Sequence, residues 1–425
     1  MLIKNQVGAK MKDLRKTKII CTIGPASSSE DMVKKLVEAG MNCARINCSH
    51  GSAKDRQPVV ATLKKVRKDM DVPLAILLDT KGPEFRIKTF SDGKVFVEDG
   101  STFTFTTDDV EGDQTKVSVT YEKLCEDLEP GDIILVNDGL VKFKVEKIEG
   151  HNINCKTLIG GELSNNKSMN FPGKDLTVEF LSETDKQDLL FAIKNDLNFI
   201  ACSFVSNAQD IKSVRDFMHE NGGDKISLIA KIENQSGIDN LEEICKHCDG
   251  VMVARGDLGV EIDFDKLPAV QKQIIKECGR LGKLAITSTE MLESMIDKPR
   301  PTRAEVSDVA NAVYDGTAAL MLSGETAAGK YPVEAVEAMS KIAKSTEEKV
   351  HYRKRFLYAK PVVENRTVDA IAHATCAIAI DVNAKGIVNV TASGFTSELI
   401  SNFRPDVNVC AITINQHEYY KLALY

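Results

Sequence analysis

Eight short apolar runs alternate along this chain with longer stretches of helical periodicity. The runs occupy residues 18–24, 42–48, 74–79, 199–204, 226–232, 250–254, 283–288 and 319–323. The helical stretches that follow them span 30–39, 59–68, 183–195, 209–220, 237–246, 269–280, 304–314 and 332–349. Short apolar runs rich in β-branched residues read as buried strands, and their alternation with amphipathic helices sets strands side by side in parallel. Eight such repeats are the number that closes a (β/α)8 TIM barrel, whose functional residues gather at the C-terminal ends of the strands. A doubly wound open sheet is the alternative, weakened by the count and by the lack of a Gly-x-Gly-x-x-Gly turn after the first run.

The third repeat is interrupted. Between Pro83 and Phe171 the pattern changes to short alternating strands separated by turn signals at 91–93, 98–100, 129–132, 137–139 and 159–161, which predicts an inserted all-β domain. Prolines at both junctions, Pro83 and Pro172, would stiffen the hinges of a lid over the barrel mouth. After the eighth repeat a basic linker at 351–355 leads to a helix (368–380), a strand (386–390), a Ser/Thr/Gly loop and a second strand (407–412). That is the opening half of an α/β domain, with too few strands for a self-sufficient sheet. The expected division is 1–83 with 172–346 as the barrel, 84–171 as the small β-barrel lid, and 347–425 as a partial, truncated α/β C-terminal domain. A length of 425 agrees with three units at about 150 residues each.

Composition narrows the class. At 43% hydrophobic and 28% charged, the chain matches ordinary globular proteins and excludes a disordered or collagen-like one. With 55 basic against 62 acidic residues and a net charge of -7 it has no basic footprint for nucleic acid or an anionic membrane. An anionic ligand would therefore need a locally positive site or bound cations. Eleven cysteines, an odd number lying mostly inside apolar runs, read as free thiols in a reducing, cytoplasmic compartment. Residues 1–12 carry basic residues without the apolar core and cleavage site of a secretory signal, and no apolar stretch approaches the roughly 18 residues of a membrane helix.

In a barrel the side chains just past each strand converge, and here they are unusually polar. Arg45, Asn47, Ser49 and His50 follow the second run; Asp79, Thr80, Lys81 and Arg86 the third; Lys231, Glu233 and Asn234 end the fifth. Arg255, Gly256 and Asp257 follow the sixth, Thr289 and Glu290 the seventh, and Ser323, Gly324, Glu325 and Thr326 the eighth. Any one of these alone is more often a solvated loop residue or a structural ion pair. Glu233 and Asp257, from adjacent strands, suit a hard cation such as Mg²⁺, which takes one or two protein carboxylates and completes its shell with substrate and water. Lys231 shares the strand face of Glu233 and would set a positive charge beside the metal, an arrangement that stabilises a developing oxyanion or enolate.

At these positions the chain resembles the pyruvate kinase family. The resemblance runs almost unbroken from Lys16 to about Glu347, through residues 18–27, 41–51, 78–86, 231–234, 252–259, 291–296, 298–305 and 321–326, and continues more loosely beyond. It implies a cytoplasmic phosphotransferase that carries the phosphoryl group of phosphoenolpyruvate to ADP, giving pyruvate and ATP in the last step of glycolysis. Carried over by motif, Glu233 and Asp257 match ligands of Mg²⁺ (or Mn²⁺), and Asn47, Ser49, Asp79 and Thr80 match the K⁺ site. Arg45 would hold the phosphoryl group, Lys231 would neutralise it and the enolate oxygen, the Gly256 and Asp257 backbone would bind the carboxylate, and Thr289 would stand beside the carbon that is protonated. Asn47, Ser49, His50, Arg86 and Lys167, the last from the lid, match nucleotide contacts. The family is typically a homotetramer, its C-terminal domain regulatory. Glu84 stands where members independent of K⁺ tend to carry lysine, which predicts K⁺ dependence.

Departures and look-alikes complete the reading. Glu290 replaces a usual Gln beside Thr289, and Cys48 a common Phe. In the loop 391–396, which in the family opens an effector site, Ala392 and Phe395 replace basic positions common in regulated members, so sugar-bisphosphate regulation is not expected. Cys245 and Cys248 with His247 mimic half a zinc site without a second ligand pair. Residues 324–330 mimic a P-loop but place Tyr331 where the Mg²⁺-binding hydroxyl belongs. The competing functions are another Mg²⁺-enolate barrel of the phosphoenolpyruvate/pyruvate superfamily, which the lid and nucleotide matches oppose, and a catalytically impaired binding subunit, which the full set of site residues opposes.

Overall fold

The computed structural model describes residues 15–174, 176–358 and 367–425. The expectation about residues 1–12 lies outside them. Among the described residues, eight parallel strands close into a barrel: β1 (Lys18–Thr22), β2 (Cys43–Asn47), β3 (Ala75–Asp79), β4 (Phe199–Cys202), β5 (Ser227–Ile232), β6 (Gly250–Ala254), β7 (Leu284–Ser288) and β8 (Ala319–Leu322). β1 is hydrogen-bonded to β2 on one side and to β8 on the other, so the sheet has no edge and the open-sheet alternative falls.

Side-chain parity decides what faces where, because successive residues of a strand point to opposite faces. Ile19, Ala44, Ile76, Ile200, Leu228 and Val251 pack outward against the helices. Ile20, Cys43, Leu77, Phe199, Ile229 and Met252 fill the interior. Continued towards the C-terminal ends, the interior parity turns polar: Cys43 gives way to Arg45 and Asn47, Leu77 to Asp79, Ala201 to Ser203, and Ile229 to Lys231 and Glu233. That change of polarity along single strands builds the barrel mouth.

Several outer helices start on reciprocal caps, Ser182 with Asp185, Asn207 with Asp210 and Thr302 with Glu305. The helix expected to begin at residue 59 instead spans Ala53–Asp69 and runs through Pro58. Ser52 and Asp55 cap its start, and Pro58 lies on the exposed side, where the carbonyl left without an N–H partner meets water. The stretch 237–246 is two helices, Gln235–Asp239 and Leu241–His247, parted at Asn240, whose side chain donates to Ser206 O at 3.0 Å. All of the basic linker but His351 lies within a helix, Tyr352–Tyr358.

The insertion after β3 forms a seven-stranded sheet and a two-stranded one, with a single helical turn at Leu124–Asp127. Its core is a triangle of Phe103, Phe105 and Phe143, ring centroids 5.0–5.5 Å apart. Asn137 and Asp138 both take positive φ in the turn joining strands Ile133–Val136 and Val141–Glu149, as their residue types favour. In the C-terminal segment, helix Phe395–Asn402 connects two parallel strands, Gly386–Val390 and Asn408–Ile412. The last residues cross to the barrel floor. Helix Gln416–Lys421 anchors there through His417, whose ring nitrogens lie 3.0 Å from Asp196 Oδ1 and 3.1 Å from Lys225 O, and through Tyr420 under the Arg67 guanidinium. Ala423 and fully buried Leu424 then join the interior cluster of Ile20 and Phe199.

No helix among the described residues is long and apolar enough to cross a membrane.

Candidate active site

The barrel mouth holds a buried charge network. Arg45 donates from Nε to Asp79 Oδ2 at 2.6 Å and from Nη1 to Thr22 Oγ1 at 2.9 Å. Lys231 Nζ lies 2.6 Å from Ser203 Oγ, 2.8 Å from Glu233 Oε1 and 3.1 Å from Asp79 Oδ1. Asp79, Ser203, Lys231 and Glu233 are all buried. Two cations therefore face two carboxylates, which is what keeps charge tolerable out of water. Burial alone would lower the Lys231 ammonium, but the charges of Asp79 and Glu233 outweigh it and hold the pKa above the ordinary lysine range. Burial likewise opposes the charge of Asp79, and Lys231 and Arg45 overcome it, so the carboxyl sits below its usual range. Glu233 goes the other way: burial raises it to about 7, with Lys231 opposing and the like charge of Asp257 assisting.

Glu233 also carries the test of metal fit. Its Oε2 accepts from Phe204 N at 2.6 Å, while its buried Oε1 has no hydrogen-bond donor in line among the described residues, Lys231 approaching only as an ion pair. A buried carboxylate oxygen held without a donor, near the exposed carboxylate of Asp257, fits a hard divalent cation. No cluster of three or more His, Cys, Asp or Glu side chains forms a metal cage among the described residues, so such a cation would draw on substrate oxygens. Cys245 and Cys248 are buried in the hydrophobic core with Cys278.

Asn47 and Asp79 face each other across the β2–β3 register. Asn47 Oδ1 accepts from Ser49 N at 3.1 Å and Thr80 Oγ1 from Ser203 N at 3.3 Å, and Ser49 Oγ lies 3.5 Å from Glu84 Oε1. This all-oxygen group with two carboxylates fits a monovalent cation. On the other side of the mouth, Gly256 N donates to Thr289 Oγ1 at 2.7 Å, and Thr289 Oγ1 donates to Ser288 O at 2.6 Å. Buried Glu325 accepts from Leu292 N and Ser323 N, so the P-loop look-alike, expected as a strand-end loop, opens with a helical turn, Gly324–Ala327, fastened by its own carboxylate.

A cleft of about 510 Å³ separates the lid from the barrel mouth, walled by Arg86 and Phe171 on one side and Phe204, Asn234 and Asp257 on the other. Arg86 pairs with Glu84 Oε2 at 2.9 Å and donates to Asn166 O at 2.7 Å. His50 is exposed after β2 and Lys167 is half-buried in the lid; neither side chain makes a hydrogen bond or ion pair among the described residues. The structure thus brings Arg45, Asp79, Lys231 and Glu233 together and pairs Gly256 with Thr289, while His50 and Lys167 stand apart from both groups. Sequence reasoning passes over Ser203 and Thr22, although both are polar residues of interior parity at strand ends, the rule that picks out their neighbours. At the loop 391–396, Glu398 and Glu418 flank Gly394 and are paired with Lys421, so carboxylates rather than free cations line it.

Comparison with known proteins points the same way. The family model for the pyruvate kinase barrel domain matches residues 14–336, and that for the pyruvate kinase alpha/beta domain matches 369–425. A pyruvate kinase of Clostridium acetobutylicum is 43% identical over 412 residues, 97% of this chain and 87% of the relative. One of Staphylococcus aureus (strain MRSA252) is 48% identical over 402 residues, 94% and 68% of the two chains. The crystal structure of a pyruvate kinase from Cryptosporidium parvum superposes with a TM-score of 0.94 at 38% identity, covering 96% of this chain and 85% of that one. With the barrel, the inserted lid and the charged mouth in place, these matches make the assignment plain: the chain belongs to the pyruvate kinase family.

Proposed function

We propose that this pyruvate kinase transfers the phosphoryl group of phosphoenolpyruvate to ADP at the mouth of the barrel, with residues 1–83 and 172–346 as the catalytic unit, 84–171 as its lid and 347–425 as a regulatory segment. The observation that carries the reading is the buried network of Arg45, Asp79, Lys231 and Glu233 at the barrel mouth, joined through the Phe204 N–H bond to Glu233 to a cleft that Phe204 and Asp257 help to wall. Arg45 binds the phosphoryl oxygens from the β2 side, and Lys231, kept cationic by its two carboxylates, faces the oxygen that gains charge as the phosphoryl leaves. Glu233 and Asp257 would hold Mg²⁺ or Mn²⁺, and Asn47, Ser49, Asp79 and Thr80 would hold K⁺; when bound, these ions would supply the neutralising charge that two anionic substrates require. The Gly256 and Asp257 backbone receives the carboxylate, Thr289 orients the proton donor to the methylene carbon, and Arg86, His50, Lys167, Asn47 and Ser49 bind the nucleotide. The enzyme works in the cytoplasm as a homo-oligomer. Steady-state formation of pyruvate from phosphoenolpyruvate and ADP tests the assignment. Lys231→Met is expected to lower kcat by about 10²–10³-fold, the scale of losing one preorganised charge at a developing oxyanion. Wild-type turnover no greater than that of folded Lys231→Met would overturn it.

A further inference from the structure

Thr289 and Glu290 follow β7 with φ of 64° and 51°, the left-handed region that a β-branched residue seldom enters. Two such residues in succession are strained and persist only when their surroundings hold them. One side chain gathers the carbonyls of the turn. Arg255, buried at the start of helix Arg255–Glu261, reaches across from β6 and is ringed by carbonyls of the turn: Nε lies 3.2 Å from Ser288 O and 3.1 Å from Thr289 O, and Nη2 lies 2.5 Å from Thr289 O and 3.0 Å from Glu290 O. Nη1 faces outward to Asp308 Oδ2 at 2.7 Å and Gln271 Oε1 at 3.4 Å. The guanidinium is thus a template about which the chain folds three consecutive carbonyls.

The next residue closes the circuit. Gly256 N donates to Thr289 Oγ1 at 2.7 Å, so the ends of β6 and β7 are tied twice, by the Arg255 side chain and by the Gly256 backbone. We propose that Arg255 is a positioning residue for the chemical step: by fixing the Thr289–Glu290 turn it sets the position of Thr289 Oγ1, and with it the spacing between the group beside the methylene carbon and the backbone that receives the carboxylate. It touches no substrate atom. The proposal rests on the reaction assigned above and adds to it. Lysine in this place keeps the charge and the partner Asp308 but offers one ammonium where a planar fork serves three carbonyls, so the turn would be free to relax.

The test uses the whole chain and four readouts normalised to folded enzyme: kcat, KM for ADP, exchange of pyruvate methyl protons with solvent, and the double-mutant cycle with Thr289→Ala. Arg255→Lys is expected to lower kcat and methyl-proton exchange together by about 10²-fold, as for a displaced catalytic group, with KM for ADP nearly unchanged. If Arg255 acts through Thr289, the double variant loses no more than Thr289→Ala alone. Asp308→Asn, which leaves the carbonyl ring intact, is expected to keep kcat within about threefold. Losses that multiply in the double variant, or an Arg255→Lys enzyme with normal kcat and exchange, overturn the proposal. An inactive wild type would instead overturn the reaction assignment, so the two failures are distinguishable.

Discussion

Lys231 draws its character from parity. It lies on the interior face of β5 between apolar Ile229 and buried Glu233, where a lone ammonium would be expelled, and Asp79 and Glu233 hold it charged. Glu84 acts at the same scale. Its Oε1 lies 3.5 Å from Ser49 Oγ, so an ammonium here would put a positive charge beside the group assigned to K⁺. Glu84→Lys is therefore expected to remove K⁺ dependence, its rates with and without K⁺ agreeing within about twofold in the steady-state assay, since a built-in charge repels and replaces the ion. Undiminished K⁺ stimulation would contradict this. The charged members of the site are legible in the sequence because a charge inside an apolar run needs a reason. Ser203 is harder to see, since a small hydroxyl at the end of a run resembles any loop start. Its role emerges only when β4 is set between β3 and β5, which brings its oxygen to Lys231 and to Thr80 O. The Gly256–Thr289 bond is not legible at all, because no local pattern announces two successive left-handed residues of which one is a threonine.

Among elements, strands are read more surely than helix boundaries, and for a physical reason. A buried parallel strand shows its whole length as apolar sequence, whereas a helix can begin on polar residues that face water. Helix Ala53–Asp69 illustrates the difference: Pro58 suggests a start, yet the Ser52 and Asp55 cap lies upstream and the helix runs on through the exposed proline. Caps carry measurable weight elsewhere. Thr302 accepts from Glu305 N at 3.2 Å, and Glu305 in turn accepts from Thr302 N and from Ser294 N, stitching helix Arg303–Asp315 to the turn after β7. Thr302→Ala is expected to cost about 1 kcal/mol in urea-induced unfolding with kcat unaltered. No change in the unfolding midpoint would show that Glu305 holds the helix start without its partner.

For the whole molecule, the floor of the barrel depends on the far end of the chain. Leu424 is fully buried among Ile20, Phe199 and Met252, and the Tyr425 ring centroid lies 6.5 Å from that of Phe199. Leu424→Ala is expected to destabilise the fold by about 2–5 kcal/mol, read by denaturant unfolding, because it opens a cavity in the interior rather than on a surface. A loss below about 0.5 kcal/mol, the size of a surface substitution, would mean that the tail rests on the floor without filling it. The lid has a consequence of another kind, for the order in which the chain assembles. β3 and β4 are hydrogen-bonded neighbours, Leu77 opposite Phe199, yet the entire β insertion is threaded between them. A chain emerging residue by residue therefore holds β3 with an open edge until the lid has been made. The lid's antiparallel hairpins close locally and quickly, and their completion joins strand Phe85–Arg86 to strand Ser168–Asn170, drawing the two broken ends of the barrel together. Folded first, the insertion would shorten the loop that the β3–β4 pairing must close and so lower its entropic cost.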